Sequence, residues 1–194
     1  KPDSGLIEFD GTDITSFTTE SRAQAGLGRT FQISQLAMDQ TVLQNVVLGT
    51  VGERGDVWKF WRPVLAVQEL RERAMESLSD VGLADKAATP VSELSHGGRR
   101  QLEVAIALTL NPKAFVMDEP MAGLGSDGSK KMTIFLDNLR TRAPILLVEH
   151  DMEAVFALSD RISVLVSGMV IATGSVDQIR NDARVRKAYL GEDS

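Results

Sequence analysis

Residues 115–120 read Phe-Val-Met-Asp-Glu-Pro, and this run constrains the fold more than any other part of the sequence. Apolar residues lead directly into two adjacent carboxylates, and a proline then ends the run. The pattern predicts a buried strand that presents Asp118 and Glu119 at its C-terminal end, where parallel α/β sheets bind ligands. An aspartate there can hold the hydration shell of Mg²⁺, and a neighbouring glutamate can orient water against a phosphate. A structural acid at the end of an ordinary buried strand is the alternative.

The other elements predict an α/β fold with a parallel sheet, because strands after residue 112 alternate with helices. Residues 5–11 alternate apolar and polar side chains, which predicts an N-terminal antiparallel β segment. Residues from about 40 to 110 show only helical patterns. We therefore predict one domain over 1–194, in which 1–39 and 111–194 form the α/β core and about 40–110 form an inserted helical lobe.

Shorter patterns set the expected boundaries of individual elements. Ser175 and Gln178 fit a capping box at the start of the last helix, and residues 162–172 fit a hairpin that turns at Ser167 and Gly168. Residues 52–63 are expected to be irregular. The remaining predicted elements are a strand at 26–33, helices at 41–49, 64–81, 99–110, 128–140 and 152–159, and a strand at 145–148.

Composition excludes several kinds of protein. The net charge of −6 argues against a nucleic-acid binder that relies on a basic face. The absence of cysteine excludes a disulfide framework and a thiolate metal site, and two histidines are too few for a histidine-rich one. The longest apolar runs are too short to span a bilayer and no signal-peptide pattern is visible, which predicts a cytoplasmic protein.

Residues 95–98, Ser-His-Gly-Gly, precede a predicted helix that begins with two arginines. Open backbone N–H groups, a hydroxyl and the positive end of the helix predict an anion-binding site. An ordinary N-cap followed by flexible glycines is the alternative. His150 follows a predicted buried strand and is either a donor to a terminal phosphate or a packing histidine. Gln32 follows a strand-like segment, and taken alone it is most simply a surface residue.

In this order and spacing, the motifs resemble the nucleotide-binding subunit of ATP-binding-cassette (ABC) transporters, over essentially the whole chain. The shared features are Gln32, Leu-Ser-x-Gly at 94–97, Asp-Glu-Pro at 118–120, Ala-Gly-Leu at 122–124 and His150. The subgroup resembles branched-chain amino acid importers. That likeness is carried by Gly-Arg-Thr-Phe-Gln at 28–32, Thr-Val-Leu-Gln-Asn-Val at 41–46, Glu-His-Asp-Met at 149–152 and Ala-Tyr-Leu-Gly-Glu at 188–192.

The resemblance implies a P-loop NTPase-like core and assigns roles. Gln32 would contact Mg²⁺ or the attacking water, Asp118 would act on Mg²⁺, and Glu119 would be the general base or water-orienting carboxylate. His150 would be the switch histidine, and residues 122–127 would form the D-loop across a dimer.

The same resemblance implies that Ser95, Gly97 and Gly98 bind the γ-phosphate of ATP held by the opposite subunit. The implied ligands are ATP and Mg²⁺. The implied partners are transmembrane permease subunits, a second nucleotide-binding subunit arranged head to tail and, indirectly, a periplasmic solute-binding protein. The location would be peripheral, on the cytoplasmic face of the inner membrane.

The sequence departs from the family pattern in two places. The signature usually reads Ser-Gly-Gly-Gln, whereas residues 95–98 end in glycine. No lysine lies in the Gly-x-x-x-x-Gly-Lys-Ser/Thr context of a P-loop. Because the chain also opens on Lys-Pro-Asp-Ser-Gly without methionine, we expect an N-terminal truncation, an inactive chain when alone, and uncovered aliphatic residues on strands 114–117 and 145–148.

Two other functions stay open at this stage. A soluble ABC-type ATPase of DNA repair or translation would share the core, although the long helical lobe and the Ala-Tyr-Leu-Gly-Glu ending argue against it. A degenerate regulatory or scaffold subunit would lack the P-loop.

Overall fold

The computed structural model describes residues 2–29, 36–54 and 68–190. Gln32 lies outside these ranges, as do residues 55–63 of the segment predicted to be irregular and 64–67 of the predicted helix at 64–81. The rest of that helix is present as α3, Gln68–Asp80.

Three parallel strands form the central sheet: β3 (Leu27–Arg29), β4 (Ala114–Asp118) and β5 (Ile145–Val148), in the order β3-β4-β5. The apolar run before Asp118 is β4, and its last residue pairs with Val148, the last residue of β5. Helix α5 (Gly125–Leu139) connects these two strands. The predicted parallel α/β fold is confirmed, and the carboxyl ends of β4 and β5 lie side by side.

A short antiparallel ribbon precedes the sheet, as predicted. Its strands are β1 (Glu8–Phe9) and β2 (Thr12–Asp13), joined through Asp10 and Gly11, which both have positive φ. The Asp10 carboxylate forms an ion pair with Lys113, just before β4, and this contact lowers the pKa of Asp10. Helix α1 (Thr19–Gln24) then leads into β3.

Helices α2 (Val42–Arg54), α3 and α4 (His96–Leu108) pack on one another between β3 and β4 in the chain. Two 3₁₀ turns, Ala84–Lys86 and Val91–Glu93, connect α3 to α4. The main hydrophobic core includes Val46 of α2, Leu102 of α4 and Phe115 of β4, so it continues from the helices into the sheet.

Three predicted helix boundaries within the described residues are wrong by three or more residues. Helix α2 continues through position 52, which was expected to be irregular, to Arg54. Helix α4 begins at His96 rather than 99, because Ser95 caps it, and α5 begins at Gly125 rather than 128. In each case the glycine-containing sequence pointed to a loop, whereas the glycines lie within a helix.

The C-terminal part has the predicted elements. Helix α6 (Met152–Leu158) precedes the hairpin of β6 (Ile162–Val166) and β7 (Met169–Gly174). Ser167 and Gly168 both have positive φ, as a tight hairpin turn requires. The predicted capping box of Ser175 begins α7 (Val176–Asn181), which is followed by α8 (Ala183–Val185) and a π-helical turn, Arg186–Leu190.

A cavity of about 1130 Å³ lies between β5 and β6. Leu146 and Val148 of β5 and Leu165 of β6 line it and are 64%, 52% and 54% exposed. The expectation of uncovered aliphatic residues therefore holds for the strand at 145–148. On the strand at 114–117 it fails for Phe115 and Met117, which are buried in the main core, whereas Val116, which pairs with Leu146, is half-buried.

Candidate active site

Asp118 and Glu119 occupy the point at which the chain leaves β4. The Glu119 N–H donates to the Val148 carbonyl oxygen at 2.8 Å, which extends the parallel ladder by one bond. Glu119 itself has φ of +47°, in the left-handed region that is costly for a residue with a Cβ atom. Such strain clusters at functional sites, and here it turns a 38% exposed carboxylate out of the strand direction.

His150 faces this carboxylate from the end of the neighbouring strand. Its Nδ1 lies 3.3 Å from Oε1 of Glu119, and its side chain is 71% exposed. Parallel pairing of β4 with β5 brings the two residues together although 31 positions separate them in the sequence. An exposed acid–imidazole pair at the carboxyl ends of adjacent strands can position a water molecule and contact an anionic group.

Glu149 is the functional candidate that sequence reasoning missed. Its carboxylate accepts hydrogen bonds from the backbone N–H groups of Met121, His150 and Asp151, at 2.8, 3.0 and 3.4 Å. The side chain is only 1% exposed. The available signal was a second carboxylate at the end of a second apolar strand, which repeats the pattern of residues 115–119.

Ser95 is the N-cap of the 13-residue helix α4. Its hydroxyl accepts a hydrogen bond from the Gly98 N–H at 3.2 Å, which confirms the N-cap, whereas Gly97 and Gly98, expected to be flexible in that interpretation, are helical. The start of α4 also borders a cavity of about 380 Å³, whose other wall includes Gly123, Leu124 and Lys131. The positive end of the helix and the Lys131 ammonium both favour an anion in this cavity, which remains a prediction.

The predicted site residues thus fall into two groups. Asp118, Glu119 and His150 lie at the carboxyl edge of β4 and β5. Ser95, Gly97 and Gly98 line the cavity beside the predicted D-loop. Within residues 2–29, 36–54 and 68–190, no group of three or more histidine, aspartate or glutamate side chains is arranged to hold a metal ion.

A sequence model described as "ABC transporter" matches residues 1–122. The chain belongs to the ABC transporter family. A second model, described as "Branched-chain amino acid ATP-binding cassette transporter", matches residues 169–194. The resemblance to the branched-chain subgroup is therefore confirmed at the C-terminal end of this ABC protein.

Relatives and solved structures agree with this assignment. The high-affinity branched-chain amino acid transport ATP-binding protein LivG of Escherichia coli K12 is 34% identical, over 99% of this chain and 78% of LivG. The lipopolysaccharide export system ATP-binding protein LptB of Haemophilus influenzae is 31% identical, over 99% and 76%. The ADP conformation of MJ1267, an ATP-binding cassette, superposes with a TM-score of 0.83 at 30% identity, over 98% and 78%.

The ABC protein shows no membrane-spanning helix in its described parts: none of those helices is both long and apolar enough.

The strained backbone of Glu119 predicts an unusual order of stability. We expect Glu119→Gly to be more stable than Glu119→Ala, with a free energy of unfolding higher by roughly 0.5–1 kcal/mol. A left-handed residue with a Cβ atom costs about 1–2 kcal/mol, and the greater backbone entropy of glycine offsets part of this. Equilibrium urea unfolding of both variants is the measurement.

Ala157, exposed on α6, supplies the matched control. There Ala157→Gly is expected to lower stability by about 1 kcal/mol, because the position is helical. An alanine variant of Glu119 that is as stable as the glycine variant would contradict the strain.

Proposed function

We propose that the natural protein containing these residues is the ATP-hydrolysing subunit of an ABC importer for branched-chain amino acids or a related small solute. The observation that carries the proposal is the Glu119–His150 pair, with 3.3 Å between Oε1 and Nδ1 at the carboxyl ends of adjacent parallel strands. Family membership makes ATP the expected substrate of such a pair.

In this proposal Glu119 orients the attacking water and accepts its proton, and His150 contacts the terminal phosphate. The water must lie opposite the leaving group for phosphoryl transfer, so placement of the carboxylate matters more than covalent chemistry. The exposed fraction of both side chains leaves room for ATP and water to reach them.

Asp118 is the proposed ligand of Mg²⁺, with Gln32 as the second contact. The half-buried Asp118 carboxylate would supply the hard oxygen that Mg²⁺ prefers, and one carboxylate would be sufficient where phosphates and water supply the other ligands. When bound, Mg²⁺ would neutralise charge on the phosphates.

Ser95, Gly97 and Gly98 are proposed to bind the γ-phosphate of ATP held by a second nucleotide-binding subunit, placed head to tail. Support comes from their position at the start of α4, where N–H groups and the helix dipole favour anions. The other proposed partners are transmembrane permease subunits at the cytoplasmic face of the inner membrane and, through them, a periplasmic solute-binding protein.

Branched-chain amino acids are favoured as the solute by the match of residues 169–194 and by LivG. The similarity to LptB supports a second candidate, the ATPase of a lipid exporter. Only the importer interpretation accounts for the C-terminal match, so we place it first.

The 194 residues contain no P-loop sequence. We propose that, by themselves, they bind ATP poorly and do not turn it over. Magnesium-dependent hydrolysis by the isolated chain, abolished by Glu119→Gln, would contradict this.

The proposed transport function is tested in proteoliposomes that hold the natural protein, its membrane subunits and its solute-binding protein. ATP inside the vesicles should drive uptake of labelled leucine, and a non-hydrolysable analogue should not. If ATP is hydrolysed but leucine, isoleucine and valine are not taken up, the proposed solute is wrong and the proposed ATPase activity stands.

A further inference from the structure

Glu149 has a buried carboxylate, and the function proposed above assigns it no role. Its backbone is partly exposed, yet its side chain retains only 1% of its accessible surface. A buried carboxylate is costly unless hydrogen bonds satisfy it. Its three backbone donors do so.

The two carboxylate oxygens of Glu149 serve different loops. Oε1 accepts from the Met121 N–H, in the loop that follows β4 and carries Glu119. Oε2 accepts from the N–H groups of His150 and Asp151, in the loop that follows β5. One side chain therefore ties together the two loops that bear the proposed water-orienting carboxylate and the phosphate-contacting imidazole.

These contacts begin where the sheet stops. The last paired residues are Asp118 and Val148, and the Glu119 N–H adds one more bond to the Val148 carbonyl oxygen. Beyond that point the Glu149 carboxylate connects the two loop backbones through its hydrogen bonds. Hydrogen bonds to an ionised acceptor are about twice as strong as neutral ones, which suits this task.

We propose that Glu149 is a positioning residue for hydrolysis, which fixes Glu119 and His150 relative to each other without touching ATP. The inference rests on the proposed ATPase function. His150 Nδ1 lies 3.3 Å from Glu119 but 3.9 Å from Glu149, whose oxygens are already occupied by N–H donors. Glu149 therefore acts through backbone placement rather than as a base.

Glu149→Gln keeps the size of the side chain but leaves one oxygen acceptor and turns an amide N–H₂ group toward N–H donors of the other loop. We expect kcat for ATP to fall roughly 10- to 100-fold, since small misplacements of reacting groups have effects of this order. The KM for ATP should stay within about threefold, because Glu149 does not touch ATP and, of the proposed phosphate contacts, only that of His150 depends on it.

Glu149→Ser is the second variant. It places no amide N–H₂ group against the backbone N–H donors, so it does not add the donor–donor repulsion of Glu149→Gln. A serine hydroxyl can accept from the Asp151 N–H two residues on but cannot reach Met121. Glu153→Gln, in the first turn of α6, is the matched control: it removes the same charge from an exposed side chain four residues away and should leave kcat within twofold.

Both kinetics and amide hydrogen exchange are measured on the natural protein with its membrane subunits. Support requires the fall in kcat at steady KM and faster exchange of the Met121 amide in both Glu149 variants. An active protein whose turnover is insensitive to both substitutions, or whose Met121 amide is unchanged, overturns the positioning role alone. An unsubstituted protein without ATPase activity overturns the proposed function, and the positioning role with it.

Discussion

Replacing Glu119 by glutamine is expected to lower ATP turnover at least about 100-fold, because a positioned general base contributes roughly 10²–10⁴ to rate. The amide keeps the shape of the side chain but cannot accept the proton of the attacking water. ATP binding should stay within a few-fold, since Asp118 and the phosphate contacts are unchanged. The measurements are steady-state hydrolysis and equilibrium ATP binding by the natural protein with its membrane subunits.

His150→Ala supplies the graded comparison. Its imidazole lies 3.3 Å from Glu119 and would contact phosphate, so its loss should lower turnover while Glu119 still activates water. The exposed Glu153→Gln removes a charge nearby and should have little effect. Turnover of the Glu119→Gln protein within threefold of the unsubstituted protein would move the catalytic role to another residue.

Local patterns predicted much of the fold. The apolar run before Asp118, the turn at Ser167 and Gly168, and the capping box of Ser175 each depend on neighbours within a few positions, and each has the expected structure. The predicted start of helix α4 was three residues too late, because its true start depends on packing against distant helices rather than on neighbouring residues. Gly97 and Gly98 have low helix propensity, but packing of α4 against α2 and α3 outweighs about 1 kcal/mol per glycine.

The parts of the site that escaped prediction depend on contacts between distant segments. Met121 and Glu149 are 28 positions apart in the sequence, so no local pattern could predict their hydrogen bond. The left-handed backbone of Glu119 is not indicated by its residue type; it occurs where the chain leaves β4 and turns, with the Ala122 N–H donating to the Glu119 carbonyl oxygen. The residue types at the strand ends were enough to identify Glu119 and His150 as candidates. Their approach to 3.3 Å between Oε1 and Nδ1 depends on the parallel register of β4 and β5, which the sequence does not specify locally.

Ser95→Arg is expected to abolish ATP turnover, whereas Gly98→Gln should change it only a few-fold. Arginine at position 95 places a long side chain in the cavity of about 380 Å³ where the phosphate is proposed to bind. It also removes the hydroxyl that caps α4, at a cost of about 1 kcal/mol. Ser95→Ala separates the two effects, because it removes the cap without filling the cavity.

Position 98 has room for a side chain. A Cβ atom built on Gly98 would contact Leu94 and Ser95 at an ordinary 3.5 Å. Position 98 is also three residues after the N-cap, so a glutamine there could bond back to the Ser95 N–H and complete a capping box, as Gln178 does with Ser175. We therefore expect Gly98→Gln to raise the free energy of unfolding by about 1 kcal/mol.

The phosphate contacts assigned to this stretch come from Ser95 and from backbone N–H groups, which Gly98→Gln leaves in place. Steady-state turnover of the three variants, assembled with their membrane subunits, is the test, with urea unfolding run in parallel. A stable Gly98→Gln protein that is as inactive as Ser95→Arg would mean that the start of α4 does not bind phosphate in this way. A Ser95→Arg protein that stays folded and active would mean the same, since turnover should stop when an arginine side chain occupies the cavity where phosphate is proposed to bind.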